Sequence, residues 1–137
     1  MEINMWAVLV CAVAAMIVGF IWYGPLFGKM WLRIVGATRA DLETRKKMQK
    51  RAGALYLVQF LLTLFQAYVL AHYIQGWTDA TGTENSLWIW AAFVMPTLAG
   101  ACMWTNEPRK AAWARFLLQS GYQLVVFIIF GFILAVW

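Results

Sequence analysis

The chain has 137 residues, of which 64% are hydrophobic and 12% charged, with a net charge of +5. Soluble domains average about 45–50% apolar and about 25% charged residues, and a domain of this size leaves roughly 30% of its unfolded-chain surface in water, so water is excluded as the main solvent. With 3 Pro, 10 Gly and 2 Cys, the composition also excludes a collagenous repeat, a disordered tail and a disulfide scaffold, which leaves a small integral membrane protein.

Residues 4–23, 54–74, 86–104 and 116–137 contain no Asp, Glu, Lys or Arg. Each is about as long as the roughly 20 residues that a helix needs to cross the hydrocarbon core. They predict one membrane domain over residues 1–137, an all-α bundle of four transmembrane helices. A cleaved leader would begin with cations, whereas this chain opens Met1-Glu2-Ile3-Asn4 with no Lys or Arg before position 29, so the first span reads as a permanent helix.

On that first helix Cys11, Ala15 and Gly19 recur every four residues, a small-residue face that lets backbones approach. Pro25 biases Gly24 away from helical geometry and predicts an end or a kink. Beyond it Leu26, Phe27, Met30, Trp31, Ile34 and Val35 share one face and Lys29 and Arg33 the other. That pattern predicts an amphipathic helix anchored at the membrane surface between spans one and two, with partner binding as the alternative. Gly36 suits the end of that helix. The stretch Thr38-Arg39-Ala40-Asp41 has the form of a capping box, and Asp41 with Arg45 and Glu43 with Lys47 stand four apart in the favourable order, so the second helix is expected to begin well before its apolar span.

On the second helix Tyr56, Gln59, Thr63, Gln66 and Tyr73 form an uncharged polar stripe. The connection around Gly76, Gly82 and Thr83-Glu84-Asn85-Ser86 reads as a turn and cap. The third span carries another small-residue face, Ala92, Pro96 and Gly100, and Pro96 also removes one backbone hydrogen bond. Pro108 suits the first turn of the fourth helix, which carries Gln119, Tyr122 and Gln123 above Arg115, and a short small-residue face at Gly131 and Ala135.

All 11 Lys and Arg fall in the first and third connections, including the cluster Arg45, Lys46, Lys47, Lys50 and Arg51; the second connection carries only Asp79 and Glu84, and the amino-terminal tip only Glu2. The positive-inside bias therefore places those two connections in the cytoplasm and both termini outside. Basic juxtamembrane runs meet anionic lipid head groups, and the cluster is read that way rather than as a nucleic-acid site. The nine Trp divide into two belts: Trp6, Trp77, Trp88, Trp90 and Trp137 near the outer ends of the spans, and Trp22, Trp31, Trp104 and Trp113 near the inner ends, none at mid-membrane. Cys11 and Cys102 differ in depth by roughly 15 Å, too far for a disulfide, and are read as free thiols.

No span holds a carboxylate or ammonium, so the usual signs of proton relay or ion coupling are missing. His72, the only histidine, has no sequence-local partner for a metal, and no nucleophile motif or phosphate loop occurs. No cofactor is expected. The polar stripes remain, either as interhelical hydrogen bonds or as the lining of a cleft.

The run Trp22-Tyr23-Gly24-Pro25-Leu26-Phe27-Gly28-Lys29 with Trp31, the Pro96-Thr97 pair, and Gly121-Tyr122 leading to Trp137 resemble the small four-span bacterial family catalogued as domain of unknown function seventeen sixty-one. The resemblance covers nearly the whole chain. It implies the four-span topology and a bacterial cytoplasmic membrane, and it brings no reaction or ligand. Relatives often carry charged residues around the Gly-Tyr step, where this chain has Gln119 and Gln123. The expectation from sequence is a non-enzymatic, self-associating structural or accessory element. The alternatives are a small channel, carrier or apolar-ligand binder using the two polar stripes, and a membrane enzyme subunit.

Overall fold

The structure, a computed structural model, describes residues 2–34 and 42–137. Its helices are α1 (Met5–Ile21), a π-helical turn (Trp22–Leu26), α2 (Gly28–Ile34), α3 (Leu42–Gly76), α4 (Gly82–Ile89), a second π-helical turn (Trp90–Val94), α5 (Met95–Met103) and α6 (Arg109–Val136). The expected helix end at Gly36, the capping box from Thr38 to Asp41 and the Asp41–Arg45 pair lie outside the described residues. Four segments are long and apolar enough to cross a membrane: Met5–Leu26, Gln49–Gly76, Gly82–Met103 and Arg109–Val136. The second and fourth begin before their charge-free stretches, among Lys and Arg, because these are good helix formers whose long stems reach back to the interface.

The caps follow from short polar side chains. Asn4 Oδ1 accepts from the backbone N–H of Trp6 at 3.1 Å and of Ala7 at 3.3 Å, and Thr81 Oγ1 accepts from Glu84 N–H at 3.1 Å, each satisfying donors that a helix start leaves unpaired. At Pro25 the expected break takes a milder form. The N–H of Phe27 donates to the carbonyl of Trp22, five residues back, at 3.0 Å, so a wider turn absorbs the proline and the helix restarts as α2. Arg109 opens α6, its guanidinium donating to the carbonyls of Met103, Thr105 and Glu107.

α6 is the hub, touching α1, α3, α4 and α5. The core, formed by residues such as Val8, Cys11, Ala67, Leu70, Val126 and Phe130, lies in the half of the bundle away from the cations. Gln75 Nε2 donates to the carbonyl of Glu2 at 3.0 Å, so the chain start and the connection after α3 share one end. The cation-bearing residues 28–34, 42–51 and 104–115 lie at the other.

The small-residue faces divide. Cys11 and Ala15 are fully buried, and a Cβ on Gly19 would stand 3.0 Å from the Tyr122 hydroxyl. At Gly131 a Cβ would meet Ser86 Oγ at 2.5 Å and the Gly82 carbonyl oxygen at 2.6 Å, while one on Gly82 would lie 2.6 Å from Ala135 Cβ. Those faces are used inside the bundle. By contrast Ala92 and Pro96 are exposed, and Gly100 has open space where a Cβ would go.

Two tryptophans do not behave as belt residues. The Trp22 indole donates to the carbonyl of Leu118 and the Trp90 indole to that of Ser120, both at 3.0 Å. Trp90 begins the second π-helical turn, eight residues below Gly82, roughly 12 Å into the helix. Its N–H is spent on a neighbouring helix. Both thiols, Cys11 and Cys102, are free and buried.

A candidate groove between the second span and the rest of the bundle

α3 packs on α1 and α6 through Ala67, Leu70 and Ala71, which are buried. Toward the cations it leaves the bundle, and Leu55, Tyr56, Leu57 and Val58 are all at least half exposed. Four consecutive helical residues point in four directions about 100° apart, so no face of α3 is covered there. The gap left behind α3 holds two adjoining chambers.

The chamber nearer the cation-free end has a volume of about 610 Å³. α3 contributes Gln59, Gln66 and Tyr73, the third span Ile89, Phe93 and Val94, and α6 Gln123 and Phe127. The chamber nearer the cations has a volume of about 790 Å³ and is walled by Gly19 and Tyr23 of the first span, Trp31 of α2, Tyr56 and Gln59 of α3, and Gln119, Tyr122 and Gln123 of α6. Gln59 and Gln123 line both. The volumes fall within the range of about 300–1,000 Å³ usual for small-molecule sites.

The sequence stripes therefore meet in part. Gln59, Gln66 and Tyr73 face Gln123 across one chamber, and Tyr56 and Gln59 face Gln119 and Tyr122 in the other. Thr63 is buried and turned back on its own helix: its hydroxyl donates to the Gln59 carbonyl at 2.7 Å and accepts from Gln59 Nε2 at 3.2 Å. Tyr122 is partly committed as well, its hydroxyl donating to the Ala15 carbonyl at 2.8 Å. Gln119 Oε1 lies 4.0 Å from the Cys102 thiol, a weak donor. Tyr73 stacks parallel to Trp77 with ring centroids 6.4 Å apart.

Gln123 is the exception. Its Oε1 is buried and has no hydrogen-bond partner. A buried amide oxygen left unpaired is costly. Of the residues that sequence reasoning left out, Tyr23, Phe93 and Leu98 also line the chambers, and Trp31, taken as a surface anchor, packs on Tyr23 with centroids 4.9 Å apart and walls the larger one. A lining role of this kind has no periodic signal, because it depends on where α3 departs.

At the cation-rich end Arg115 pairs with Glu107 at 3.0 Å, beneath Gln119. Lys29, Arg33, Lys46, Lys47, Lys50 and Arg51 are exposed, whereas the side chain of Arg45 lies outside the described residues. His72 stands edge-on to Tyr68 with centroids 4.6 Å apart. Among the described residues, no three His, Cys, Asp or Glu side chains are grouped as metal ligands would be.

A four-span helical bundle with an uncharged, mainly apolar groove between its helices defines a multi-pass membrane protein of the all-α class. The chain belongs to the family described as protein of unknown function (DUF1761), which it matches over residues 6–135. No curated protein and no solved structure matches it.

Proposed function

We propose that this is a non-enzymatic membrane protein whose groove holds a small net-neutral amphiphile, a molecule with a hydrogen-bonding head and an apolar body. The observation that carries the reading is that Gln123, which lines both chambers, holds a buried Oε1 with no hydrogen-bond partner. Lipid tails offer no hydrogen bond, so a ligand group that supplies one gains the full cost of the unpaired amide. The walls are amides, phenols and hydrocarbon, which favours a head without net charge. We place the protein in a bacterial cytoplasmic membrane with the cations in the cytoplasm and both termini outside, following the charge bias, and assign the exposed Lys46, Lys47, Lys50 and Arg51 to anionic head groups on that side.

Native mass spectrometry after gentle extraction tests the binding reading. The wild-type protein is expected to retain a neutral amphiphile, and a Gln59→Leu, Gln123→Leu double variant several-fold less. Equal retention by both, or none by either, overturns it.

Self-association is the second reading, favoured by one observation. Ala92, Pro96 and Gly100 stay uncovered while the other small-residue faces are used within the bundle. Gly100→Leu is expected to shift an oligomer to monomer in analytical ultracentrifugation, and an unchanged mass counts against this interface.

A further inference from the structure

The two chambers together run nearly the depth of a membrane. Along α3 they extend from Leu55 in the larger to Tyr73 in the smaller, 18 residues or roughly 27 Å at the helical rise, against a hydrocarbon core of about 30 Å. They adjoin at Gln59 and Gln123, which line both. We propose that they form one path along which the head group of a zwitterionic phospholipid passes between leaflets while its acyl chains stay in the bilayer, so that the protein scrambles lipid.

This rests on the reading of the groove as an amphiphile site and adds movement to it. A head group in hydrocarbon loses every hydrogen bond it had in water. Here replacements recur along the path: Tyr56, Gln59, Gln66 and Tyr73 on α3, facing Gln119 and Gln123 on α6. Each glutamine amide offers donors and acceptors together, so it can serve a phosphate oxygen and an ammonium in turn. No charged side chain lines either chamber, so neither half of a zwitterion meets a fixed charge that would hold it. Lys50 and Arg51 stand about one turn before Leu55 on α3 and are exposed, where cations draw phosphate to the mouth. The groove is also open at its side: Tyr56 is 64% exposed and Phe93 71%, leaving room for tails to remain in lipid.

The test is reconstitution of the full chain in phosphatidylcholine vesicles with a trace of acyl-labelled fluorescent phosphatidylethanolamine, whose primary ammonium can donate to the glutamine oxygens, with dithionite added outside. Wild-type vesicles are expected to lose fluorescence beyond the outer-leaflet share, and Gln59→Leu, Gln123→Leu to slow that loss at least about tenfold. Gln123→Asn, which keeps an amide, is expected to retain most of the rate. A matched elution profile and helical spectrum show that the variants are folded. Quenching that stops at the outer-leaflet share, or an equal rate in the double-leucine variant, overturns the proposal. If amphiphile retention in mass spectrometry persists in that case, the groove is a binding site without passage; if retention also fails, the binding reading falls with it. Quenching of an encapsulated water-soluble dye would mean an aqueous pore and overturns the lipid path.

Discussion

Glycine does its most consequential packing at the cation-free end. Gly82 and Gly131 face each other so closely that neither admits a Cβ without moving backbone or Ser86, whose hydroxyl donates to the Gly82 carbonyl at 2.9 Å. Gly131→Ala is expected to destabilise the bundle by about 1–3 kcal/mol, the usual cost of forcing a methyl into a filled site. Gly100→Ala meets open space and is expected to be neutral or to gain up to about 1 kcal/mol from helix propensity. Chemical unfolding in detergent separates the two; equal effects would mean that the close approach does not hold the helices. The sequence picked out both residues by the same spacing of small side chains. Spacing says that backbones can come together, and cannot say which face finds a neighbour inside the bundle.

The elements were legible to the extent that charge marks membrane depth. Four charge-free stretches located four spans, and the short helix at 28–34 followed from the pattern of its two faces. What the stretches could not show is that the first and third spans each carry a π-helical turn beginning at a tryptophan, with both indoles donating to carbonyls of α6 two residues apart. The acceptors are backbone atoms, which leave no trace in side-chain pattern. Interhelical hydrogen bonds in membranes average about 0.6 kcal/mol. Trp22→Phe is thus expected to speed amide exchange in α2, which follows directly from that turn, by about threefold, while leaving α4 unchanged. Mass-resolved hydrogen exchange reads this, and a uniform rise across all helices would show that Trp22 holds the whole bundle rather than its local turn.

Across the whole molecule, the two polar stripes were visible as periodic features of α3 and α6. Their meeting at Gln59 and Gln123 was not, because it depends on α3 packing tightly at Ala67, Leu70 and Ala71 and departing by Leu55. The fold also brings both chain ends and the connection after α3 to one side. A maleimide that cannot cross the membrane is expected to label Asp79→Cys from the side opposite to Lys110→Cys. Labelling of both from the same side would remove the four-span topology itself.

The departure of α3 has a mechanical corollary. The bundle is held closely at Gly82 and Gly131, whereas α3 is uncovered near Leu55, so its freedom to move is greatest at the end that holds the cations. Swinging α3 inward would change area in the leaflet at that end alone, so lateral pressure there works directly on the width of the groove while pressure in the other leaflet does not. Cone-shaped and inverted-cone lipids supplied to one leaflet at a time are expected to shift the accessibility of a cysteine placed at Leu55 in opposite directions; an equal response from either leaflet would mean that the bundle moves as a rigid cylinder.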